Sequence, residues 1–131
     1  MTTTTSLKII ESLYDGLVRG DIITVRPLLD PRIEWTEAPG FPLAGTYHGP
    51  EAVIDGVLKK LAEDWDDFRT TPDEFVDGGD TVVVLGRYSG TNKGTGKSFD
   101  APFAHAWEVR DGKAVRYVQY TDTFLVRQAM T

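Results

Sequence analysis

The stretch Ala101-Pro102-Phe103-Ala104-His105-Ala106-Trp107-Glu108-Val109-Arg110-Asp111-Gly112-Lys113-Ala114-Val115-Arg116-Tyr117-Val118-Gln119-Tyr120-Thr121-Asp122 alternates in character on both sides of Asp111-Gly112. A period of two marks half-buried strands, and Asp-Gly between two such runs marks a hairpin. A two-residue loop would set Trp107 opposite Arg116 and Glu108 opposite Val115, mixing charge with apolar groups on both faces. A three-residue loop, Arg110-Asp111-Gly112, with Gly112 as the left-handed residue of a bulge, gathers Phe103, His105, Trp107 and Val109 with Val115, Tyr117, Gln119 and Thr121. The opposite face then holds Ala104, Ala106, Glu108, Arg116, Val118 and Tyr120, with Glu108 near Arg116. The second register makes the better sheet, because it collects the aromatics on one side. That side carries one histidine, one tryptophan and one glutamine, a polar triad on an aromatic face and hence a candidate ligand site.

Upstream, residues 73–77, 81–90 and 98–109 alternate or run β-branched, separated by turns at Gly78-Gly79 and 91–97, and 113–121 continues the series. The N-terminal half reads as helical. Ser6 is placed to cap a helix whose apolar residues Leu7, Ile10, Leu13, Tyr14, Leu17 and Val18 recur at three and four, and Gly20 ends it. Asp21 caps a second short helix through Val25, Leu28 and Leu29, stopped before Pro31. Ile33, Trp35 and Glu37 alternate with Glu34 and Thr36 in a strand that ends at Ala38-Pro39-Gly40, and a loop to Gly45 leads into Thr46-Tyr47-His48. Pro50 opens the third and longest helix, with Val53, Ile54, Val57, Leu58, Leu61, Ala62 and Trp65 as its buried stripe. Asp122 or Thr123 caps a short last helix through Gln128. Helices first and hairpin-linked strands afterwards predict an α+β domain, a curved and mostly antiparallel sheet wrapped onto three helices of the N-terminal half. Residues 1–6 read as a flexible N-terminus and 7–131 as one domain, the size of a single core.

Composition narrows the chemistry. With 40% hydrophobic and 26% charged residues the chain is ordinary globular material, neither disordered nor fibrous. It has no cysteine, so thiol catalysis, disulfides and cysteine-based zinc sites are excluded. The net charge of −6, with Lys and Arg scattered, argues against nucleic acid and anionic membranes as partners. No apolar run approaches a membrane span and the start lacks an apolar leader, so a cytoplasmic protein is the default expectation. Two histidines without close spacing point to no metal site, and no cofactor is expected.

Burial of His105 among aromatics would disfavour its charged form unless a carboxylate lies within reach. It is either a core histidine satisfied by a backbone carbonyl or water, or a functional group. Gln119 can donate and accept together, which suits a ligand carbonyl or hydroxyl, but it cannot abstract a proton. Glu37 follows Trp35 on the inward face of its strand, where an apolar wall would raise its pKa; the other reading is an exposed carboxylate beside the 39–42 loop. Trp35 and Trp107 serve core and pocket lining alike. Tyr88 faces the pocket unless Gly86 hosts a bulge. His48, in a turn before Gly49-Pro50, reads as a surface residue, and Glu63-Asp64-Trp65-Asp66-Asp67 as a solvated helix end with Trp65 tucked inward.

Tyr14-Asp15-Gly16-Leu17-Val18-Arg19-Gly20-Asp21, Ile33-Glu34-Trp35-Thr36-Glu37-Ala38-Pro39, Gly45-Thr46-Tyr47-His48-Gly49-Pro50-Glu51 and the hairpin closing in Gln119-Tyr120-Thr121-Asp122-Thr123 together resemble the SnoaL-like branch of the nuclear transport factor 2-like superfamily. This branch is related to ketosteroid isomerases and polyketide cyclases, and the resemblance runs from Leu7 to Met130. It implies a cone-shaped half-barrel around an apolar pocket, in a homodimer formed through the sheet. Function is implied less narrowly, because the fold hosts isomerases, cyclases, dehydratases, epoxide hydrolases and plain binding proteins.

The general base of the ketosteroid isomerases lies at the end of the first strand before a proline, the place of Glu37 here. The carboxylic acid that donates to the oxyanion corresponds by spacing to His105. Their oxyanion tyrosine falls one residue out of step with Tyr14. The aspartate used by the cyclases and by limonene epoxide hydrolase corresponds to Gln119, which removes that base, whereas the cyclases resemble this chain in a histidine at the place of His105.

The resemblance and the residues together predict Glu37 and His105 as catalytic. Tyr14, Trp35, Tyr88, Phe103, Trp107, Tyr117 and Gln119 are predicted to contact a small apolar carbonyl, polyketide-like or steroid-like compound. The alternatives are a binding protein that holds such a ligand without chemistry, or a sheet that serves only assembly.

Overall fold

A computed structural model describes residues 5–131; the threonines at 2–4 of the expected flexible N-terminus lie outside them. Helix α1, Ser6–Arg19, is capped by Thr5, whose hydroxyl accepts from the Lys8 N–H at 3.2 Å. The cap therefore falls one residue before the expected Ser6. Ile9, Ile10, Leu13 and Tyr14 are buried, but Val18, read as part of that stripe, is 60% exposed. Gly20 ends the helix in the left-handed conformation.

Asp21 caps α2, Ile22–Val25, by accepting from the Thr24 N–H at 3.2 Å, and a 3-10 turn, Arg26–Leu28, follows. Strand β1 then runs Leu29–Glu37, four residues longer at its start than the alternation at Ile33 predicts. Pro31 is tolerated there because it falls in an irregularity between Leu29 and Glu34, away from paired positions of the ladder.

Strand β2, Gly45–His48, pairs antiparallel with β1 and leaves His48 exposed. The third helical segment is not uniform: α3, Pro50–Val53, passes through a π turn, Ile54–Leu58, into α4, Lys59–Asp64. Within that turn Gly56 lies against the Tyr47 ring, where a Cβ would come within 2.8 Å. Ala62, expected inside, is exposed. Trp65 is buried as expected, but as the first residue of a strand, because the helix stops at Asp64. Lys93 accounts for that stop. Its N–H donates to the Asp64 carbonyl and its ammonium to the Ala62 carbonyl, satisfying orphan acceptors at an otherwise acidic helix end.

The remaining strands are β3, Trp65–Gly78, β4, Thr81–Asn92, β5, Ser98–Arg110, and β6, Lys113–Thr121; α5, Thr123–Gln128, capped by Asp122, follows. The six strands form one curved, unclosed sheet in the order β2-β1-β6-β5-β4-β3, antiparallel except for β1 beside β6. Among the described residues no helix is long and apolar enough to cross a membrane.

The β5–β6 hairpin combines the two readings of its turn. The loop is the two-residue one, Asp111-Gly112, with positive φ at both positions (51° and 76°), as a type I′ turn needs. The expected three-residue loop is therefore wrong. A bulge supplies the missing residue further on: Val109 pairs with Ala114 but Glu108 with Arg116, so Val115 is skipped. Beyond it Trp107 faces Tyr117, His105 faces Gln119 and Phe103 faces Thr121. The expected inward set is recovered, except that Ala114 takes the buried place assigned to Val115. Glu108 and Arg116 pair on the outer face at 3.2 Å.

Gly86 hosts no bulge against β5, and Tyr88 points inward. The glycine is instead a crossing point, where a Cβ would lie 2.6 Å from the Phe103 ring and would also collide with the Thr71 carbonyl. Gly86→Ala is expected to destabilise the protein by about 2 kcal/mol or more, the range of overpacking a filled interior, as measured by the urea midpoint at unchanged m-value.

Candidate functional site

The concave side of the sheet gathers residues from four strands and α1. Trp35 and Glu37 come from β1, Tyr88 from β4, Phe103, His105 and Trp107 from β5, Tyr117 and Gln119 from β6, and Tyr14 from α1; all are buried. Strand period two explains the spacing of each set, and the bulge at Val115 brings β6 into phase with β5.

His105 is held from four sides. Phe103 stacks on its ring with centroids 3.9 Å apart, Tyr117 meets it edge-on at 4.9 Å, and both nitrogens are hydrogen-bonded, Nδ1 to the Tyr14 hydroxyl and Nε2 to the Tyr88 hydroxyl. Trp107 Nε1 donates to the Tyr14 oxygen at 2.9 Å. Gln119 accepts from the Ala38 N–H at 3.0 Å through its oxygen, which orients its NH₂ to donate to the Tyr88 oxygen at 2.9 Å.

Either tautomer of the ring leaves one hydroxyl proton over. With the proton on Nε2, Tyr14 donates to Nδ1, Nε2–H donates to Tyr88, Tyr88 donates toward the Tyr117 oxygen 3.5 Å away, and the Tyr117 O–H is left over. With the proton on Nδ1, the Tyr14 O–H is left over instead. Of the two tyrosines only Tyr117 lines the cavity at this site, so the Nε2–H tautomer is the one that offers a proton to a bound molecule.

Burial sets the charge states. It pushes the His105 pKa well below the ordinary value, so the imidazole is neutral. It raises the pKa of Tyr14, Tyr88 and Tyr117, so all three stay protonated, and the nearby Glu37 charge adds to the shift of Tyr88 and Tyr117. Glu37 is the exception in an otherwise neutral network. Its Oε1 accepts from Trp35 Nε1 at 3.0 Å, while Oε2 is buried and has no hydrogen-bond partner among the described residues. Desolvation raises its pKa to about 7, against a smaller lowering by the Trp35 hydrogen bond.

A cavity of about 30 Å³ remains between these groups, room for one water. Trp35, Glu37, Tyr88, His105, Trp107, Tyr117 and Gln119 line it. Tyr14 and Phe103, predicted to touch a ligand, are absent from its wall and stand behind His105. The predicted role of Gln119 also changes, because its amide already bridges Ala38 and Tyr88.

Leu17, Val57, Leu58, Leu61 and Thr70 close the chamber on the helix side. Helical periodicity places the first four on the buried stripes of their helices. Thr70 sits in a part of β3 ahead of the recognised alternation, so its β-branched Thr-Thr pair was the available signal. Among the described residues no group of three or more His, Asp or Glu could hold a metal ion.

The family model described as SnoaL-like domain matches residues 10–117. The chain is similar to an NTF2-like protein from Burkholderia thailandensis, 43% identical over 98% of this chain and 99% of that one, with a TM-score of 0.97. It is also similar to TerC co-crystallized with polyporic acid, 29% identical over 95% and 96% of the two chains, TM-score 0.85. A protein with a ketosteroid isomerase-like fold from Catenulispora acidiphila, in complex with trimethylamine, shares the fold at 18% identity, 96% and 93% coverage and TM-score 0.80. None of the curated proteins matches the chain.

Glu37 makes stability depend on pH with a definite sign. The folded protein keeps this proton up to about pH 7, whereas the unfolded chain releases it near 4.5. The stabilisation is therefore complete below the unfolded value and lost as pH rises through the folded one. In urea melts, the stability of Glu37→Gln relative to the unsubstituted protein is expected to increase by about 3 kcal/mol between about pH 4 and about pH 8.

Proposed function

We propose that the chain, which belongs to the SnoaL-like family, is an acid–base enzyme acting on a small neutral carbonyl compound, of the isomerase, cyclase or dehydratase type. The observation that carries the reading is the unpartnered Glu37 oxygen, buried at the wall of a chamber whose other polar groups are neutral. A carboxylate with a pKa of about 7 is matched to proton transfer near neutral pH. The chamber has room for one water as it stands, so a substrate enters only when the side chains that close it, Leu17, Leu58 and Leu61, give way; Glu37 then takes a proton from the carbon beside the carbonyl, and the electron pair moves onto the carbonyl oxygen. The Tyr117 O–H donates to that oxygen as its charge develops. Protonated Glu37 then returns the proton to another carbon in an isomerisation, or to a departing hydroxyl in a dehydration; in a cyclisation the enolate carbon closes on a second carbonyl, whose oxygen takes the proton.

His105 differs here from its predicted role. With both nitrogens engaged it is a positioning residue, which aims Tyr88 and through it Tyr117. The co-crystallization of TerC with polyporic acid supports a small-molecule site in a related chain. A pocket that binds without chemistry is the second reading, favoured by the way His105 and Gln119 satisfy one another's neighbours.

Exchange of α-protons for deuterium in a panel of simple ketones, followed by proton NMR, separates the two. The enzyme reading expects exchange above buffer that falls about 100-fold or more in Glu37→Gln and by a similar factor in Tyr117→Phe, with the rate rising through about pH 7. Binding without exchange by the unsubstituted protein would establish the second reading.

The reading includes a homodimer in the cytoplasm, formed through the outer sheet face. There Leu85, Ala104 and Tyr120 align across three strands, beside a second row of Val76, Val83, Ala106 and Val118. Leu85, Val76 and Tyr120 are exposed, a continuous apolar surface suited to a self-complementary partner. Ala104→Glu is expected to convert a dimer to monomer in sedimentation velocity; a monomeric unsubstituted protein would remove the dimer.

A further inference from the structure

Glu37 is the last residue of β1, and it is fixed from two ends. On the main chain the Ala38 N–H, one residue on, donates to the Gln119 oxygen at 3.0 Å; at the tip of the side chain Trp35 Nε1 donates to Oε1 at 3.0 Å. Trp35 reaches the carboxyl because residues two apart share one face of a strand. The indole is itself held: it is 3% exposed, its ring centroid lies 3.9 Å from that of Tyr117, and it meets Trp107 edge-on at 5.5 Å. Glu37 and Tyr117 therefore rest against one rigid plate.

Nothing else steadies the carboxylate. Within electrostatic reach of Glu37 lie Tyr47 from β2, Tyr88 from β4 and Tyr117 from β6, and His105 of β5 shares the chamber wall. At neutral pH none of them is charged, because burial holds the tyrosines above their ordinary value and the histidine below its own. The helical segments contribute Leu17, Val57, Leu58 and Leu61 to the wall and β3 contributes Thr70, none of which ionises. Among the described residues the Trp35 N–H is thus the one hydrogen bond that the Glu37 carboxylate accepts. An indole suits that place. It donates and cannot ionise, so it restrains the carboxyl without the positive charge by which Arg or Lys would strip it of basicity.

We propose that Trp35 is a positioning residue for the proton transfer: its N–H occupies Oε1, leaves Oε2 as the oxygen that takes the substrate proton, and fixes that oxygen relative to the Tyr117 hydroxyl through the plate they share. The role in proton transfer rests on the catalytic reading; the grip of the indole on the carboxyl does not.

Trp35→Phe tests this, since it keeps an aromatic plate and removes the N–H. Carbon-13 NMR of the Glu37 carboxyl gives a readout free of turnover: the unsubstituted protein should titrate at about pH 7, and the variant about one unit or more higher, because the lost bond favours the charged form. The midpoint of the pH profile of ketone deuterium exchange should rise with it. At high pH, where Glu37 is ionised in both proteins, kcat should fall about tenfold or more with KM nearly unchanged. Equal carboxyl titrations, or a shifted titration with an unaltered high-pH kcat, would overturn the positioning role. A second measurement needs no substitution at Trp35: its indole N–H resonance should follow the Glu37 titration in the unsubstituted protein and cease to titrate in Glu37→Gln, and an indole signal indifferent to pH would overturn the proposal even where Trp35→Phe fails to fold. A carboxyl titration that shifts in Trp35→Phe, in a protein that exchanges no ketone proton, would keep the grip on Glu37 and remove the catalytic reading instead.

Discussion

The skipped residue at Val115 is the constraint on which the rest of this structure depends. Side chains alternate along a strand, so a one-residue slip between β5 and β6 would turn Tyr117 and Gln119 to the outer face and bring Arg116 and Val118 under the sheet. The tight turn at Asp111-Gly112 by itself imposes that unfavourable slip. The bulge reverses it within three residues, and every contact of His105 with β6 follows from the reversal. Turn and bulge therefore act as a pair: the first closes the hairpin cheaply, and the second restores the burial that the first would forfeit.

What the chain discloses before folding divides along the same line. The apolar spacing of Leu13, Tyr14 and Leu17, the alternation around Trp35 and the run from Phe103 to Thr121 each obey one period over several residues, so element type and inward face follow from them. The features that escape are those set by contacts between distant segments. Lys93 decides where α4 stops, the Tyr47 ring crowds the helix at Gly56, and no local pattern near Trp65 records either. The same holds inside the site. That Glu37, His105 and Gln119 meet was readable from strand parity, but not that tyrosines would occupy both imidazole nitrogens, since Tyr14 and Tyr88 lie 91 and 17 residues from His105.

The site itself is an electrostatic contrast. Trp107, Tyr14, His105, Tyr88 and Gln119 form a neutral, mutually satisfied network, which burial rigidifies because each member would be costly to leave unpaired. Glu37 stands against it with one oxygen bonded to an indole and the other to nothing. A buried carboxylate in that condition lowers stability once ionised, and such groups cluster where proteins perform chemistry. The fold alone does not dictate which chemistry, since the same curved sheet accommodates many.

The one parallel pair in the sheet, β1 beside β6, joins residues near the two ends of the chain. Trp35 and Glu37 therefore take their places under the sheet only through a partner strand some eighty residues downstream, and the loop-closure entropy of that separation falls on the pairing that completes the site.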